Sequence, residues 1–571
     1  MSRAHRRVFL VWALAALALQ LFGLGTLPLF DVDEGAFSEA TRELLSSGDW
    51  GHTTLNGEDR FDKPILVYWL QAASAALFGL DEFAVRLPSA LAAWLWAVFV
   101  AHVVAHRMSP PGGTPDLRAG LAAGSVLLTS LGVALIGRAA TADALLNLWL
   151  ALATLSLWTA LRDLAPGLDD TRQRSGRRAL RLAALWIALG LLTKGPVAVL
   201  VPGAAVGLWC LSAGWMDRPD DRSTGHRAGI AARAWQRLRP LLSDAWAWAV
   251  LVGVAAPWYA YALHRHGMAF VDGFLWRHNL QRYGGTLEGH GGAWFYYLLL
   301  LPLLMLPWSA LLVPVLARLR TRWRDPAERY LLLWAGFVLV FFSASGTKLP
   351  HYVLYGLTPL AILAGRALTE PAVPAETRSQ RIGQAGLALG FLLLPLGVLW
   401  ASDLAQGHIA ASTRPAEALH ALLLAGPGLL SGEAGRTLAI GAAVLGLLLG
   451  GASWAGRRSP LRPAAPLLAA ALLVLGLTQL LLPWWAERLQ GPVKTLAGIA
   501  RTQQPGRVAV QWGLHQPSFA FYLGQPAPRR APEAGELALV RADRLDALQA
   551  EPGLHVIARA PGYLLIGRDA P

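Results

Sequence analysis

Long apolar runs separated by short polar loops fill most of the 571-residue chain. A helix of about 17 to 22 apolar residues can cross a bilayer, so these runs predict about thirteen transmembrane spans. The predicted spans lie near residues 8–29, 84–106, 118–137, 141–161, 179–194, 197–214, 245–264, 293–316, 329–346, 350–368, 382–402, 437–455 and 463–485. No small-residue cleavage site follows the first run, which predicts a retained helix and not a removed signal peptide.

The pattern changes after the last of these runs. Short apolar stretches predict strands, and longer periodic ones predict helices. We expect strands at 507–511, 518–523, 554–558 and 563–566, and helices at 493–502 and 544–550. The chain is therefore predicted to have two domains: an all-α polytopic membrane domain over 1–485 and a small C-terminal α/β domain over 486–571.

Composition agrees with a membrane protein. Hydrophobic residues make up 54% of the chain and charged residues 15%, whereas soluble proteins carry about 25% charged residues. The single cysteine, Cys210, excludes an internal disulfide and a cysteine-based metal cluster. The net charge of +14 comes from arginines in short loops between apolar spans. Membrane orientation explains that placement better than nucleic-acid binding does.

The arginines also predict the orientation. If the N-terminus is cytoplasmic, every second loop is arginine-rich, and the opposite loops are acidic or mixed. The arginine-rich loops fall within 172–181, 218–239, 318–324, 378–381 and 457–458. The first outer loop, about 30–83, and the C-terminal domain then lie outside, which is the periplasm if the cell is Gram-negative.

The first outer loop carries acidic groups at one end and a lysine at the other. Asp33 and Glu34 precede a helical apolar spacing that predicts an amphipathic helix on the membrane surface. Asp62 and Lys63 precede Pro64, which can open a second helix there. Charges beside a membrane are costly unless they are used. A helix cap for the acidic pair and an interfacial anchor for the second segment are the structural alternatives.

Two later outer turns also carry charges at span ends. Arg138 and Asp143 flank the turn between the third and fourth spans. A carboxylate inside a membrane helix usually faces a cavity or a partner, and a structural Arg138–Asp143 pair is the alternative. Lys194 interrupts an apolar run together with a glycine and a proline. Broken backbone of this kind is tolerated where it lines a cavity, and a simple hairpin with a snorkelling lysine is the alternative.

Two further outer loops combine basic and aromatic residues. One contains His278 and Arg282, and the other contains Lys348, His351 and Tyr352. The chain has four lysines against 46 arginines, and three of those lysines lie at outer loops. A compact point charge is suited to binding phosphate, while interfacial turns anchored by aromatic residues remain the structural alternative.

Several of these segments together resemble a known family. They are DVDEGAFSEATRELLSSGDW, LNGEDRFDKPILVYWL, GRAATADALLNLW, LLTKGPV, HNLQRY and GTKLPHYVLY, in this order along residues 8–370. This set is similar to the bacterial dolichyl-phosphate-mannose-protein mannosyltransferase superfamily, and closest to its aminoarabinose lipid A transferases. The C-terminal SFAFYLG also resembles the periplasmic end of that group.

The resemblance implies a GT-C fold whose first periplasmic loop forms the active site. It implies that Asp33 is the catalytic carboxylate, that Lys63 contacts the donor phosphate and that Asp62 helps to bind a divalent metal, although many relatives have glutamate there. Asp143 falls at a second acidic position of the family. With the loop patterns above, the predicted site has catalytic Asp33, Glu34 and Asp143, donor phosphate-binding Lys63, Lys194, Arg282 and Lys348, and substrate-binding Arg138, His278, His351 and Tyr352.

The predicted function is transfer of a sugar from a polyprenyl (undecaprenyl) phosphate to lipid A or another envelope acceptor, within the inner membrane. We expect membrane lipids as partners, no nucleic acid and no nucleotide cofactor, because no Gly-rich phosphate loop follows a strand. A flippase or transporter of the lipid-linked sugar is the main alternative, and a membrane scaffold is a third. Transporters place their charges near the bilayer midplane, whereas here they cluster at span ends.

Overall fold

Most of the apolar runs fold into helices. The computed structural model describes residues 2–108, 115–165, 167–216, 229–285, 291–370, 433–455, 465–545 and 551–569, with isolated positions between 382 and 397. Up to residue 285 the helices are α1 Arg3–Leu21, α2 Asp33–Ser47, α3 Leu66–Phe78, α4 Glu82–Arg107, α5 Leu117–Leu128, α6 Leu131–Ile136, α7 Asp143–Asp163, α8 Asp170–Lys194, α9 Val197–Met216, α10 Ile230–Leu242, α11 Ala245–His266, α12 Met268–Phe270 and α13 Arg282–Gly284. A π-helical stretch, Val271–Gln281, joins the last two.

The second half of the membrane part is more broken. Its helices are α14 Tyr296–Leu304, α15 Leu312–Ala317, α16 Leu319–Arg324, α17 Pro326–Ala344, α18 Leu357–Thr369, α19 Glu433–Ala455, α20 Ala465–Gly476 and α21 Leu482–Leu489. Short 3₁₀ segments, Ser309–Leu311 and Pro350–Gly356, precede α15 and α18, and a π-helical turn, Leu477–Leu481, joins α20 to α21.

The protein is a multi-pass membrane protein, but thirteen spans are not confirmed. Within the described residues eight helices are long and apolar enough to cross a membrane, or nine if the pair Tyr296–Leu304 and Ser309–Ala317, bent by 114°, is counted as one span. The predicted spans at 118–137 and 293–316 are each divided into shorter helices. The predicted span at 382–402 lies largely outside the described residues.

Helix α7 is the centre of the membrane part. It is buried along almost its whole length and packs against α4, α8 and α9. Its sequence from Asp143 to Asp163 contains neither proline nor glycine, so nothing interrupts the helical hydrogen bonds. Since α7 and α8 run antiparallel with a short connection, Asp143 at the start of α7 and Lys194 at the end of α8 share one end of the bundle.

The first outer loop forms a compact unit of α2, a small hairpin and α3. Strands β1 Thr54–Leu55 and β2 Glu58–Asp59 pair antiparallel around Asn56-Gly57, whose φ angles of 55° and 80° suit the tight hairpin turn that Asn-Gly favours. Both helices predicted in this loop are confirmed. Helix α2 is, however, buried on nearly all sides, so it is not a helix with one face in water.

The C-terminal segment forms an α/β unit. After α22 Gly491–Gln503 come β3 Ala509–Gln511, α23 Pro517–Leu523, β4 Leu537–Arg541, a 3₁₀ turn Ala542–Arg544, β5 Leu554–Ala560 and β6 Tyr563–Arg568. The sheet order is β3-β4-β6-β5, with β3 and β4 parallel and the other pairs antiparallel. The predicted strand at 518–523 is wrong, because that segment is α23. Its residues are buried on both faces, so their pattern does not distinguish a strand from a helix.

Strand β4 has no counterpart in the prediction, and most of the helix predicted at 544–550 lies outside the described residues.

The C-terminal unit docks on the first outer loop through α23. The Ser518 N–H donates to Asp31 Oδ1 at 2.9 Å, and the Ser518 hydroxyl donates to the other carboxylate oxygen. Tyr522 accepts from the Leu29 N–H at 2.7 Å. A Cβ on Gly35 would lie 2.5 Å from the Ser518 nitrogen, so the two backbones approach closely only because residue 35 is glycine.

Candidate active site

A chamber of about 1060 Å³ lies where the first outer loop, the helix ends and the C-terminal unit meet. We call it the chamber. Its polar lining comes from four parts of the chain: the first outer loop, the start of α7 with the end of α8, the 3₁₀ segment before α18, and the C-terminal unit. These residues are Asp33, Asn56, Glu58, Asp59, Arg60, Asp62, Lys63, Thr141, Asp143, Lys194, His351, His515 and Arg529.

Asp33 is the first residue of α2, and its side chain is exposed to the chamber. The structure shows no hydrogen bond to its carboxylate from any described residue. Desolvation, followed by the negative charge of Asp143, raises its pKa above the ordinary value, while Lys63 and Lys194 oppose that rise. A carboxylate with a raised pKa is a better proton acceptor near neutral pH. Asp33 is therefore a candidate general base of this chamber.

Asp143 and Lys194 form a buried ion pair beside it. Lys194 Nζ lies 2.5 Å from Asp143 Oδ1, and His351 Nε2 lies 3.8 Å from the same oxygen. The Lys194 ammonium also lies 5.7 Å from the ring centre of Tyr352, within reach of a cation–π contact. This arrangement holds the Lys194 ammonium at the wall of the chamber that Asp33 also lines.

Lys63 also lines the chamber and has its own partners. Lys63 Nζ is 2.6 Å from Asp62 Oδ1, and Arg60 Nη2 is 3.1 Å from Asp62 Oδ2. Both oxygens of Asp62 thus face cations, which oppose the approach of a metal ion. The residues around Asp62 do not fit the divalent metal that the resemblance implies.

Another group in the described part of the chain has the donors that a metal ion prefers. His52 Nε2 is 2.9 Å from Asp59 Oδ1, and His266 Nδ1 is 3.7 Å from Asp59 Oδ2. One ligand atom from each of the three lies within 4.8 Å of the others. Imidazole and carboxylate together suit ions such as zinc. Only Asp59 of the three lines the chamber, so the cluster lies to one side of Asp33.

Glu34 is turned away from the chamber and is buried. Its two carboxylate oxygens accept hydrogen bonds from Arg86 of α4, each at 2.8 Å, and they also accept from the Phe30 and Ala140 N–H groups at 2.9 and 2.7 Å. Arg86 donates further to the carbonyl oxygens of residues 24, 27 and 28. We call the Glu34–Arg86 pair with these backbone groups the brace.

The brace explains how the chamber is assembled. It ties the chain before α2 to α4, and through Ala140 it ties α2 to the turn that precedes α7. Asp33 and Asp143 are thereby held on neighbouring elements. The structure thus places Glu34 in the brace and outside the chamber lining, and not at the catalytic position expected from the sequence.

Three other predicted residues lie outside the chamber lining. Arg138 donates to the carbonyl oxygens of Leu19 and Phe22 at 2.6 and 2.9 Å, so the alternative of an Arg138–Asp143 pair is wrong. Lys348 is buried and donates to the carbonyl oxygens of Ser343 and Ser345. Tyr352 packs behind the lining, beside Lys194. The side chains of His278 and Arg282 are outside the described part of the structure.

Four basic residues of this region were not predicted from the sequence. Arg60 and Arg529 line the chamber, as does His515, and Arg86 forms the brace. Arg86 lies inside the apolar run 84–106, and this position could have indicated a buried acidic partner, because such a charge is costly without one. The two C-terminal residues gave no signal, since only the docking of that unit brings them to the chamber.

Comparison with known proteins agrees with the resemblance. Residues 62–220 match the family model described as dolichyl-phosphate-mannose-protein mannosyltransferase. The undecaprenyl phosphate-alpha-4-amino-4-deoxy-L-arabinose arabinosyl transferase of Pseudomonas paraeruginosa is 32% identical over 395 residues, covering 68% of this chain and 65% of the relative. The protein of the same name from Shewanella sediminis is 30% identical over 402 residues, covering 70% and 66%. The chain thus matches just under two thirds of the length of these relatives.

The fold comparison covers almost the whole chain. The crystal structure of ArnT from Cupriavidus metallidurans bound to undecaprenyl phosphate aligns with a TM-score of 0.73 and 22% identity, covering 99% of this chain and 98% of that one. At that identity the likeness establishes the fold. The expected GT-C fold is confirmed. The chain therefore has the fold and the motifs of the dolichyl-phosphate-mannose-protein mannosyltransferase superfamily and is similar, within it, to the undecaprenyl phosphate aminoarabinose transferases.

Proposed function

We propose that this protein is an integral membrane glycosyltransferase that moves a sugar from undecaprenyl phosphate to an acceptor at the outer face of the inner membrane. The observation that carries the proposal is the carboxylate of Asp33, which opens into one chamber with Lys63 and the Asp143–Lys194 pair. A proton acceptor beside fixed cations suits departure of a lipid phosphate. The names of the relatives support a pentosamine as the sugar, and lipid A is the proposed acceptor.

The chemistry follows from the placement of charge. Asp33 takes the proton of the acceptor hydroxyl or phosphate while the acceptor oxygen attacks the anomeric carbon. The bond from that carbon to the donor phosphate oxygen breaks, and undecaprenyl phosphate leaves as an anion. Lys63 and Lys194 stabilise the negative charge that grows on it, an electrostatic contribution that is usually the largest in such steps. Asp143 holds Lys194 in place. We propose that Asp62 positions Lys63 and Arg60, and no step passes through a metal ion.

The location of the charges favours an enzyme over a transporter. Asp33 and Asp143 are the first residues of α2 and α7, and Lys194 is the last residue of α8. Carriers of lipid-linked substrates place their binding charges near the bilayer midplane. Here the charges lie at helix ends, where a reaction at the membrane surface needs them.

The proposed orientation follows from the two ends of the bundle. The chamber and the C-terminal unit lie at one end, and the arginine clusters, such as Arg172 beside Asp163 and Arg322 beside Glu328, lie at the other. The positive-inside rule assigns the arginine-rich end to the cytoplasm. We therefore propose a cytoplasmic N-terminus and a periplasmic C-terminal domain.

Mass spectrometry of lipid A tests the proposal. Lipid A from cells with the protein should carry a pentosamine increment that is lost in cells without it and in cells with the Asp33→Asn variant. Glu533→Gln serves as the matched control, because Glu533 is an exposed carboxylate of the C-terminal unit outside the chamber lining. Identical lipid A in all four strains would refute the proposed acceptor. A full increment with Asp33→Asn would refute the role of Asp33.

A further inference from the structure

One wall of the chamber comes from the C-terminal unit and not from the membrane domain. His515, Pro528 and Arg529 line the same cavity as Asp33 and Lys63. They belong to two short segments, one before α23 and one between α23 and β4. The membrane helices alone therefore leave this wall of the chamber open.

A single buried residue holds both segments in place. Gln511 of β3 is fully buried. Its backbone N–H donates to the Pro528 carbonyl at 2.9 Å, and its side-chain amide donates to the Ala527 carbonyl at 3.0 Å. The Gln511 side-chain oxygen accepts from the Gln516 N–H at 2.6 Å. His515 and Arg529 thus stand on backbone that is fixed from inside the domain, as a binding site requires.

The first outer loop fixes the same segment from the other side. The Asn56 side-chain oxygen, in the hairpin turn, accepts from the Ala527 N–H at 3.0 Å. Arg60 follows the hairpin. Its guanidinium donates to the Tyr68 hydroxyl at 3.1 Å and forms an ion pair with Asp62 at 3.1 Å. The hairpin that precedes Arg60 is thus hydrogen-bonded directly to the segment that leads to Arg529.

Neighbouring arginines in this wall have different surroundings. Arg530 is paired with Glu536 through two contacts of 2.6 and 2.7 Å. Arg529 is exposed to the chamber, and in the described part of the chain it has neither an ion pair nor a hydrogen bond. An unpaired guanidinium that lines a cavity is free to bind an anion from outside.

His515 adds a neutral polar group. Its Nδ1 is buried and has no hydrogen-bond partner among the described residues. Burial, followed by the charges of Arg529 and Arg60, lowers the pKa of His515 to about 4, so the imidazole is neutral near pH 7. Arg529 and Arg60 line the same chamber as this histidine. Glu58 and Asp59 of the hairpin also line the chamber, and Asp59 is engaged by His52.

Resting on the proposed function, we propose that Arg529, Arg60 and His515 form a second anion subsite, which holds a phosphate of the lipid acceptor. The donor phosphate already has Lys63 and Lys194, and the acceptor needs a separate position from which it can reach the anomeric carbon. A phosphomonoester carries about 1.5 to 2 negative charges at pH 7, and the planar guanidinium forks match its oxygens. The C-terminal domain then selects the acceptor, while the membrane domain binds the donor.

Steady-state transfer by the full-length protein in detergent tests this assignment. The probes are undecaprenyl phosphate-linked aminoarabinose and lipid A that carries its phosphates. In Arg529→Gln the KM for lipid A should rise about tenfold or more, the effect of losing one charge-assisted hydrogen bond. The KM for the donor should stay within about twofold of the wild-type value. Arg529→Lys should recover part of the loss.

Arg530→Gln is the matched control, since it removes the adjacent arginine, which faces Glu536 instead of the chamber. It should leave both KM values unchanged, and equal melting temperatures for the two variants would show that folding is not the cause. An unchanged KM for lipid A in Arg529→Gln overturns the subsite, and so does a rise in the donor KM alone.

Changing the acceptor lipid gives a second test of the subsite. Lipid A from which the phosphates have been removed should be a poor acceptor for the wild type and equally poor for Arg529→Gln. If the wild type modifies dephosphorylated lipid A as well as the intact lipid, the phosphate subsite is wrong although the proposed transfer stands. If the wild type modifies neither lipid, the proposed acceptor fails, and the inference fails with it.

Discussion

The brace and the chamber begin at adjacent residues of α2 and use the same kinds of side chain for opposite purposes. In the brace, every oxygen of Glu34 has a partner and the pair is closed to solvent. In the chamber, Asp33 faces open space although Lys63, Lys194 and Asp143 surround it. Glu34, whose partners are all internal, stabilises the fold, whereas Asp33, which has no direct partner in the described structure, is available to a substrate. The arrangement of partners, and not the residue type, separates structure from chemistry here.

The largest expected effect separates the two regions most clearly. Asp33→Asn removes the proton acceptor but keeps the shape, so kcat/KM should fall by about 10²- to 10⁴-fold. The free energy of unfolding should not decrease, because Asp33 makes no hydrogen bond within the described structure. Transfer kinetics measure kcat/KM, and denaturant unfolding of the same detergent-solubilised preparation measures the free energy of unfolding. A variant that unfolds as easily as a brace variant would show that the contrast between Asp33 and Glu34 is false.

Breaking the brace should have the opposite signature. Arg86→Met leaves Glu34 buried without its cation, and we expect a loss of about 3 to 5 kcal/mol in the free energy of unfolding. Adding Glu34→Gln to the same chain removes the uncompensated charge and should recover part of that loss. Unfolding in denaturant measures both. If the single variant is as stable as the wild type, Glu34 does not hold the chain before α2 in place.

A smaller effect should appear in the pH dependence of transfer. Asp33 acts in its ionised form, and its pKa is raised, so kcat/KM should fall as the pH drops through that raised pKa. Lys63 lowers the pKa of Asp33. Lys63→Met should therefore move the acid limb to higher pH, in addition to weakening donor binding. Lys494→Met is the control, since Lys494 pairs with Glu82 outside the chamber lining, and it should leave the limb in place. An acid limb that does not move in Lys63→Met would separate Lys63 from Asp33.

The smallest effect concerns the contact that docks the C-terminal unit. Ser518→Ala removes a hydrogen bond to Asp31 and should cost about 1 kcal/mol. Desolvation raises the pKa of Asp31 to about 7, and the Ser518 hydrogen bonds oppose that rise because they favour the ionised carboxylate. The stability that Asp31 contributes is therefore greatest at low pH and is lost as the pH rises through about 7.

Removing the hydroxyl raises this pKa further. The cost of Ser518→Ala should then be larger at pH 8 than at pH 5, and chemical unfolding at the two pH values measures the difference. Ser46→Ala, which removes a hydroxyl at the far end of α2, should show no such dependence. A cost that is larger at pH 5 would mean that the hydroxyl does not favour the ionised form of Asp31.

The sequence by itself determined which segments enter the membrane part and which residues could carry charge into it. Apolar runs, the helices around Asp33 and after Pro64, and the family motifs all depend on local spacing, which a chain displays directly. The pairing of Asp143 with Lys194 was not predicted, since a loop pattern does not show which of several cations lies opposite a carboxylate. The position of Arg138 was missed for the same reason.

Only the tertiary structure decided which charges meet. Glu34 and Asp33 are neighbours in the sequence, but their side chains leave α2 in different directions, one towards Arg86 and one towards the chamber. Arg529 and His515 reach the chamber because buried residues of α23 dock on the first outer loop, more than 480 positions away in the sequence for Asp31 and Ser518. Contacts of such sequence separation depend on packing and on the burial of apolar surface, which a local pattern does not encode.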